Sequence, residues 1–262
     1  LIFHGGCGAL MSTAWESHAG PVAASRVLSA PENTEAEAVL ESLGVTHIAI
    51  TSWGKVLPLL VKEPAGEGAD TFYDRLQRWL LPLYLRPQPY LLPDLPGYLD
   101  QKLAVFSLTP PQDEALSLSR LAEYFAEVKR PEPAKLAAKA LEESFPQDPN
   151  SRLARAYVYA SAGDGRAFAP LFEKIVADIA AGRVPADWDR RALRAIVLAL
   201  GKRNDLARSE LSACLDTMSP PSLQQLTPLQ TFHFTKLARA YKLPFPSESL
   251  AKMALAQSKE YQ

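Results

Sequence analysis

AFAPLFEKIVADIAAG, residues 167–182, decides the fold of most of this chain. Phe168, Leu171, Phe172, Ile175, Val176 and Ile179 recur at i, i+3, i+4, i+7, i+8 and i+11. That spacing places them along one face of an α-helix, with polar residues opposite. The next segment, RRALRAIVLALG (190–201), repeats the pattern through Ala192, Ala195, Ile196, Ala199 and Leu200. Working outward, the same period predicts helices over 113–128, 133–145, 150–162, 205–218, 226–242 and 247–258. Short connections bearing Gly, Pro, Asn or Asp predict antiparallel neighbours. The second half of the chain therefore reads as an all-α array over 111–262.

The first half, 1–110, reads differently. GALMSTAW (8–15) suits a strand, SAPENTEAEAVLESLG (29–44) a helix and VTHIAITSW (45–53) a second strand. Ser29 and Glu32 have capping-box spacing, Pro31 suits a first turn, and Gly44 suits the residue after the helix. Strand, helix, strand with a short turn predicts a βαβ crossover and hence a parallel pair. A helix over 70–85, a proline-rich connection and a strand over 101–109 complete the segment. The fold class expected is α+β in two domains: a small α/β domain with a short, partly parallel sheet, then the helical array. The boundary falls at Thr109-Pro110-Pro111-Gln112-Asp113, where consecutive prolines interrupt any regular element.

Composition narrows the function. The 262 residues carry 28 basic and 29 acidic side chains, a net charge of −1, with no dense basic run. Nucleic acid is therefore excluded as partner, because binding phosphates needs clustered Lys and Arg. No stretch reaches the roughly 18 apolar residues of a membrane span. The chain opens on Leu1, which reads as a piece or processed product of a longer protein with a signal or membrane segment upstream. Two cysteines, Cys7 and Cys214, form neither a disulfide framework nor a metal motif. No metal site and no cofactor is implied. Ala207, Leu211, Cys214, Leu215 and Met218 share a helical stripe, so Cys214 reads as core.

The opening LIFHGGCGAL gathers glycines beside His4 and Cys7. Gly5-Gly6-Cys7-Gly8 lacks both the spacing and the following helix of a phosphate loop, and reads as a turn entering the sheet. A thiolate–imidazole pair of Cys7 and His4 is the sharper alternative. His47 reads as a sheet residue and His233 as a helix-face residue at the core edge. Ligand contacts are expected at the carboxyl ends of parallel strands. Those ends carry Trp15, Glu16 and His18, then Thr51, Ser52 and Trp53. Tryptophan faces beside carboxylate and hydroxyl groups suit a glycan, and the bland alternative is packing beneath a loop such as RPQPYLLPDLP (86–96). In the helical half, Tyr157, Tyr159, Phe232, Phe234 and Tyr241 either fill the core or line a groove that holds a peptide.

Two family resemblances add context. ALEESFPQDPNSRLARAYVYASAGD (140–164) resembles a repeat boundary of the tetratricopeptide family: helix, Pro-Asp-Pro-Asn turn, then a helix closing in Ala-Gly-Asp. LRAIVLALGKRND (193–205) and TKLARAYKL (235–243) echo it loosely, and the resemblance implies a protein or peptide partner held on stacked helix pairs. TAWESHAGPVAASRVLSAPENTEAEAVLESLGVTHIAITSW (13–53) is similar to the soluble C-terminal region of bacterial GT-C-type, oligosaccharyltransferase-like membrane glycosyltransferases. Gly44, Val45, Thr46 and His47 carry the strand motif, and FYDRLQRWLLPLYLRPQPYLLPDLPGYLDQKLAVFSL (72–108) continues it. This resemblance implies a non-catalytic domain on the extracytoplasmic, periplasmic face, a membrane anchor upstream, and a glycan or lipid-linked sugar nearby. Catalytic acidic residues of that family lie in the membrane half, so none carries over. Two further readings stand beside it. One is a stand-alone soluble scaffold, cytoplasmic in location. The other is a sugar-ester or phosphate hydrolase or transferase with a site near Trp15, Glu16 and Trp53.

Overall fold

The computed structural model describes residues 19–51, 59–61, 70–89 and 103–259. It is mostly helical, with twelve α-helices and one three-stranded antiparallel sheet among these residues. The chain divides into two compact units, 1–112 and 113–262, each taken by itself below. No helix among the described residues is long and apolar enough to cross a membrane.

In the first unit the order is α1 (Ala19–Leu28), α2 (Asn33–Ser42), β1 (His47–Thr51), α3 (Phe72–Gln77), β2 (Leu85–Gln88) and β3 (Leu103–Leu108). The sheet order is β1-β3-β2, with both pairs antiparallel. Among the described strands no pair is parallel, where a partly parallel sheet was expected. β1 lies against β3, Ile48 opposite Phe106 and Ile50 opposite Ala104, and the pairing partner comes from far along the chain. The strand expected over 8–15, on which the crossover depended, lies outside the described residues.

Local chemistry explains the other departures. The Ser29–Glu32 capping box is not formed: α2 starts at Asn33, and Glu32 caps it without a side-chain hydrogen bond. The far end behaves as expected, because Gly44 takes φ 62° while its N–H and that of Val45 close on Glu41 and Leu40. That is the paired-bond ending a left-handed residue permits. The helix expected over 70–85 stops at Gln77. Trp79 turns left-handed at φ 61°, and Pro82 follows. The proline-rich run then supplies β2, an edge strand in which Pro87 sits opposite Phe106. Edge strands tolerate a residue with no N–H. Phe72, Leu76, Leu85 and Phe106 are at most 2% exposed and join Ala36, Leu40 and Ile50 in one core. Arg75 ties α3 to the turn before α2, donating to Asn33 Oδ1 (2.9 Å) and to the carbonyls of Pro31 (2.8 Å) and Ala30 (3.3 Å).

The second unit holds α4 (Glu114–Glu127), α5 (Pro131–Ser144), α6 (Pro149–Ser161), α7 (Gly165–Ala180), α8 (Trp188–Leu200), α9 (Asn204–Asp216), α10 (Pro220–Gln224), α11 (Pro228–Ala240) and α12 (Glu248–Gln257). Side-chain caps start many of them. Asp113, Asp148, Asp164 and Ser247 each accept an N–H in the first turn, and Thr227 with Gln230 forms a full capping box. Neighbours pack in sequence, α4 on α5, α6 on α7 and α8 on α9, while α4, α6, α8 and α11 also pack in succession. One apolar cluster joins α6, α7 and α8 through Leu153, Tyr157, Phe172, Ile175 and Ile196. A second joins α8 through α12, with Leu211, Cys214, Leu223, Phe234 and Leu250. Helix α8 serves both, and its residues 189–198, Arg191 apart, are buried. Leu200, expected on its apolar stripe, is 45% exposed.

Candidate functional site

Of the residues expected to bind a ligand in the first unit, only Thr51 is described. It ends β1 opposite Leu103 and is half-buried. Trp15, Glu16, His18, Ser52 and Trp53 lie outside the described residues, as do His4 and Cys7. Because the sheet is antiparallel, Thr51 stands beside the start of β3, and strand carboxyl ends do not gather at one edge as a parallel sheet requires. His47 opens β1, exposed, with Nδ1 3.0 Å from Thr46 Oγ1.

The five aromatics of the helical unit divide. Tyr157 (2% exposed) and Phe234 (0%) belong to the core, so neither lines a groove. Phe234 packs 5.7 Å from Trp188, whose indole N–H donates to Cys214 O at 3.0 Å. Tyr159 and Tyr241 are half-buried, and both rest on the cluster built from α6, α7 and α8. The Tyr241 hydroxyl donates to Asn204 Oδ1 (3.0 Å), and burial together with Asp205 pushes its ionisation up. Phe232 is half-buried elsewhere on α11, edge-on to His233, with Lys236 Nζ 5.9 Å from its ring. Burial and then Lys236 hold His233 below its ordinary value, which keeps the ring neutral at pH 7. Two of the five thus share one support, and Phe232 stands apart.

The densest chemistry was not foreseen. Arg120, Glu123 and Glu127 share one face of α4, at i, i+3 and i+7. Glu123 accepts both Nη groups of Arg190 on α8, at 2.6 and 3.0 Å, with both residues at most 2% exposed. Arg120 Nη2 reaches Asp189 Oδ2 at 2.8 Å, and Arg190 reaches the same oxygen at 3.3 Å. Glu127 Oε1 accepts from Gln230 Nε2 on α11 at 2.8 Å. Burial opposes the charge of Arg190, but Glu123 and then Asp189 outweigh it and hold the guanidinium above its ordinary value. One turn further along α8, Arg194 is held by Glu210 (2.6 Å) and the Arg183 carbonyl (2.6 Å). Glu123, Asp189, Arg190, Arg194 and Glu210 each face an opposite charge, the condition under which burial is tolerated.

This seam escaped the sequence reading because Asp189, Arg190 and Arg194 look like the solvated side of α8. The available signal was complementarity, an Arg-Glu-Glu stripe on α4 against an Asp-Arg pair opening α8. A cleft of about 270 Å³ lies near the end of α4, lined by Ala126, Pro131, Ala134 and Val158, with Lys129 and Ser161 as polar members. Among the described residues, no three His, Cys, Asp or Glu side chains are placed to hold a metal ion. No family model, curated protein or solved structure matches this chain.

Proposed function

We propose that this chain is a non-catalytic binding module whose helical unit takes a protein partner, within a membrane glycosyltransferase-like parent. One observation carries the reading. Tyr159 and Tyr241 remain partly accessible while resting on one shared core cluster, and Tyr241 is held by the second cluster and by Asn204 as well. Aromatic side chains on rigid helices, already ordered before binding, are what interface hot spots require. The stacking of α4, α6, α8 and α11 supports a tetratricopeptide-like array as the architecture of this module. The likeness of residues 13–53 and 72–108 to GT-C soluble regions supports a bacterial, extracytoplasmic parent, with a glycan or lipid-linked sugar as that parent's substrate.

Photo-cross-linking tests the partner reading. A benzophenone amino acid at Tyr241 or Tyr159 should capture one and the same protein from the parent organism, and one at exposed Lys139 on α5 should not. Equal capture from all three positions, or from none, overturns it.

A further inference from the structure

We propose that the polar seam between α4 and helices α8 and α11 is a latch, which opens as a step separate from global unfolding. The inference goes beyond partner binding and does not depend on it. Its first support is the way α4 meets α8 and α11. Arg120, Glu123 and Glu127 engage Asp189, Arg190 and Gln230 through charged or polar atoms. The apolar cluster of α8 through α12 includes no α4 residue among the described ones, and the cluster of α6 through α8 takes only Ala126 at its margin.

The second support is energetic. A fully buried ion pair fixes geometry tightly but adds little net adhesion over apolar residues of the same volume, because desolvation offsets attraction. On opening, the separated charges regain hydration. An apolar seam such as Trp188 on Phe234 has no such compensation. Ser119, one turn before Glu123 on α4, is fully buried, and its hydroxyl finds no hydrogen bond among the described residues. Arg190 Nε is in the same condition. Both would gain partners in water. The joint is therefore specific in register and low in resistance, which is what a latch needs.

The full chain, in a Cys7→Ser background with buried Cys214 kept, is spin-labelled at Lys139→Cys on α5 and Lys252→Cys on α12. Both sites are exposed, and each sits on a helix packed against one side of the seam. Pulsed dipolar spectroscopy should give a single narrow distance for the parent chain. Glu123→Gln weakens the hold on Arg190, and should bring a second, longer distance to about one tenth of molecules or more. The double variant Glu123→Leu/Arg190→Met, which makes the central pair of the seam apolar and leaves Arg120 on Asp189, should return to one narrow distance. Should Glu123→Gln fail to fold by circular dichroism, Gln230→Ala, which removes the neutral donor to Glu127 together with one bond of the Thr227 capping box, takes its place with the same expectation, with Thr227→Ala, which breaks the box and leaves the donor, as its control. An unchanged distribution in a folded single variant overturns the latch, and so does a double variant as broad as the single.

Discussion

Gly201 offers a test in which sterics and backbone preference pull in opposite directions. It closes α8 with φ −80°, a conformation open to any residue, so glycine is not there for its backbone freedom. In that setting Gly→Ala ordinarily stabilises by about 0.4–1 kcal/mol, through the lower entropy of the unfolded chain. Here an added Cβ would sit 2.8 Å from Cε1 of Phe172, and closer still to Cζ and Cε2. All three distances fall well inside van der Waals contact. Phe172 is only 6% exposed, and it stacks on Phe168 with ring centroids 5.0 Å apart, so the ring must shift within packed surroundings. Overpacking of this kind costs about 1–3 kcal/mol. The net expectation for Gly201→Ala is a loss of about 1–2 kcal/mol. At about 2–4 °C per kcal/mol for a chain of this size, Tm falls by several degrees. Urea unfolding followed by circular dichroism measures the loss, and a double-mutant cycle assigns it. In a Phe172→Leu background the obstructing ring atoms are gone and Gly201→Ala should become nearly neutral, a coupling of about 1 kcal/mol or more. A stabilising Gly201→Ala, or the same cost in both backgrounds, would refute the close approach of α8 to α7.

Two further outcomes follow from ionisable groups. Burial pushes the Cys214 thiol up to about 12, so a disulfide reagent at pH 8 should modify it only as fast as the unit unfolds, and prompt modification of native protein contradicts that. Hydrogen bonds from the Thr71 hydroxyl and N–H hold Asp74 below its ordinary value of 3.8. A lowered folded value contributes stability that is present above the unfolded pKa and is lost as pH falls through the folded one. Asp74→Ala should therefore lower stability at pH 7 and flatten the acid limb of the stability profile below about pH 4, and an unchanged limb counts against the capping box.

The helices of the second unit were legible because their signal is local. Phe168, Leu171, Phe172 and Ile175 repeat within a single element, and every helix expected over 113–258 appears within about two residues of its expected ends. The sheet was not legible, for the opposite reason. Whether β1 runs parallel or antiparallel to its neighbour is decided by β3, more than fifty residues away, and the turn at Trp79 that frees β2 depends on a left-handed tryptophan no propensity favours. Helix α1 also went unread, since AGPVAASRVL carries glycine and proline near its start. Within the site, the sequence gathered five aromatics by residue type, and burial then separated Tyr157 and Phe234 from Tyr159, Phe232 and Tyr241.

The buried charges show where period analysis misleads. It assigns Arg and Glu to the solvated face because an isolated buried charge is costly. That cost belongs to the unpaired ion, and whether it is met depends on residues of another helix. Helix α8 packs on α6, α9 and α11 and approaches α4, which leaves almost no face for water. Its charged residues therefore had to find protein partners: Asp189 and Arg190 on α4, Arg194 on Glu210 of α9. Arg190 and Arg194 with their acids are the consequence of α8 occupying the centre, and the position of α8 is the consequence of a buried run, Ala192 to Leu198, apolar except for Arg194 and too long to cover with one neighbour. The same logic explains why partner contacts are expected at Tyr159 and Tyr241. Where α4 meets α8 the charges pair with one another, so accessible anchoring is left to aromatics that rest on the core from outside it.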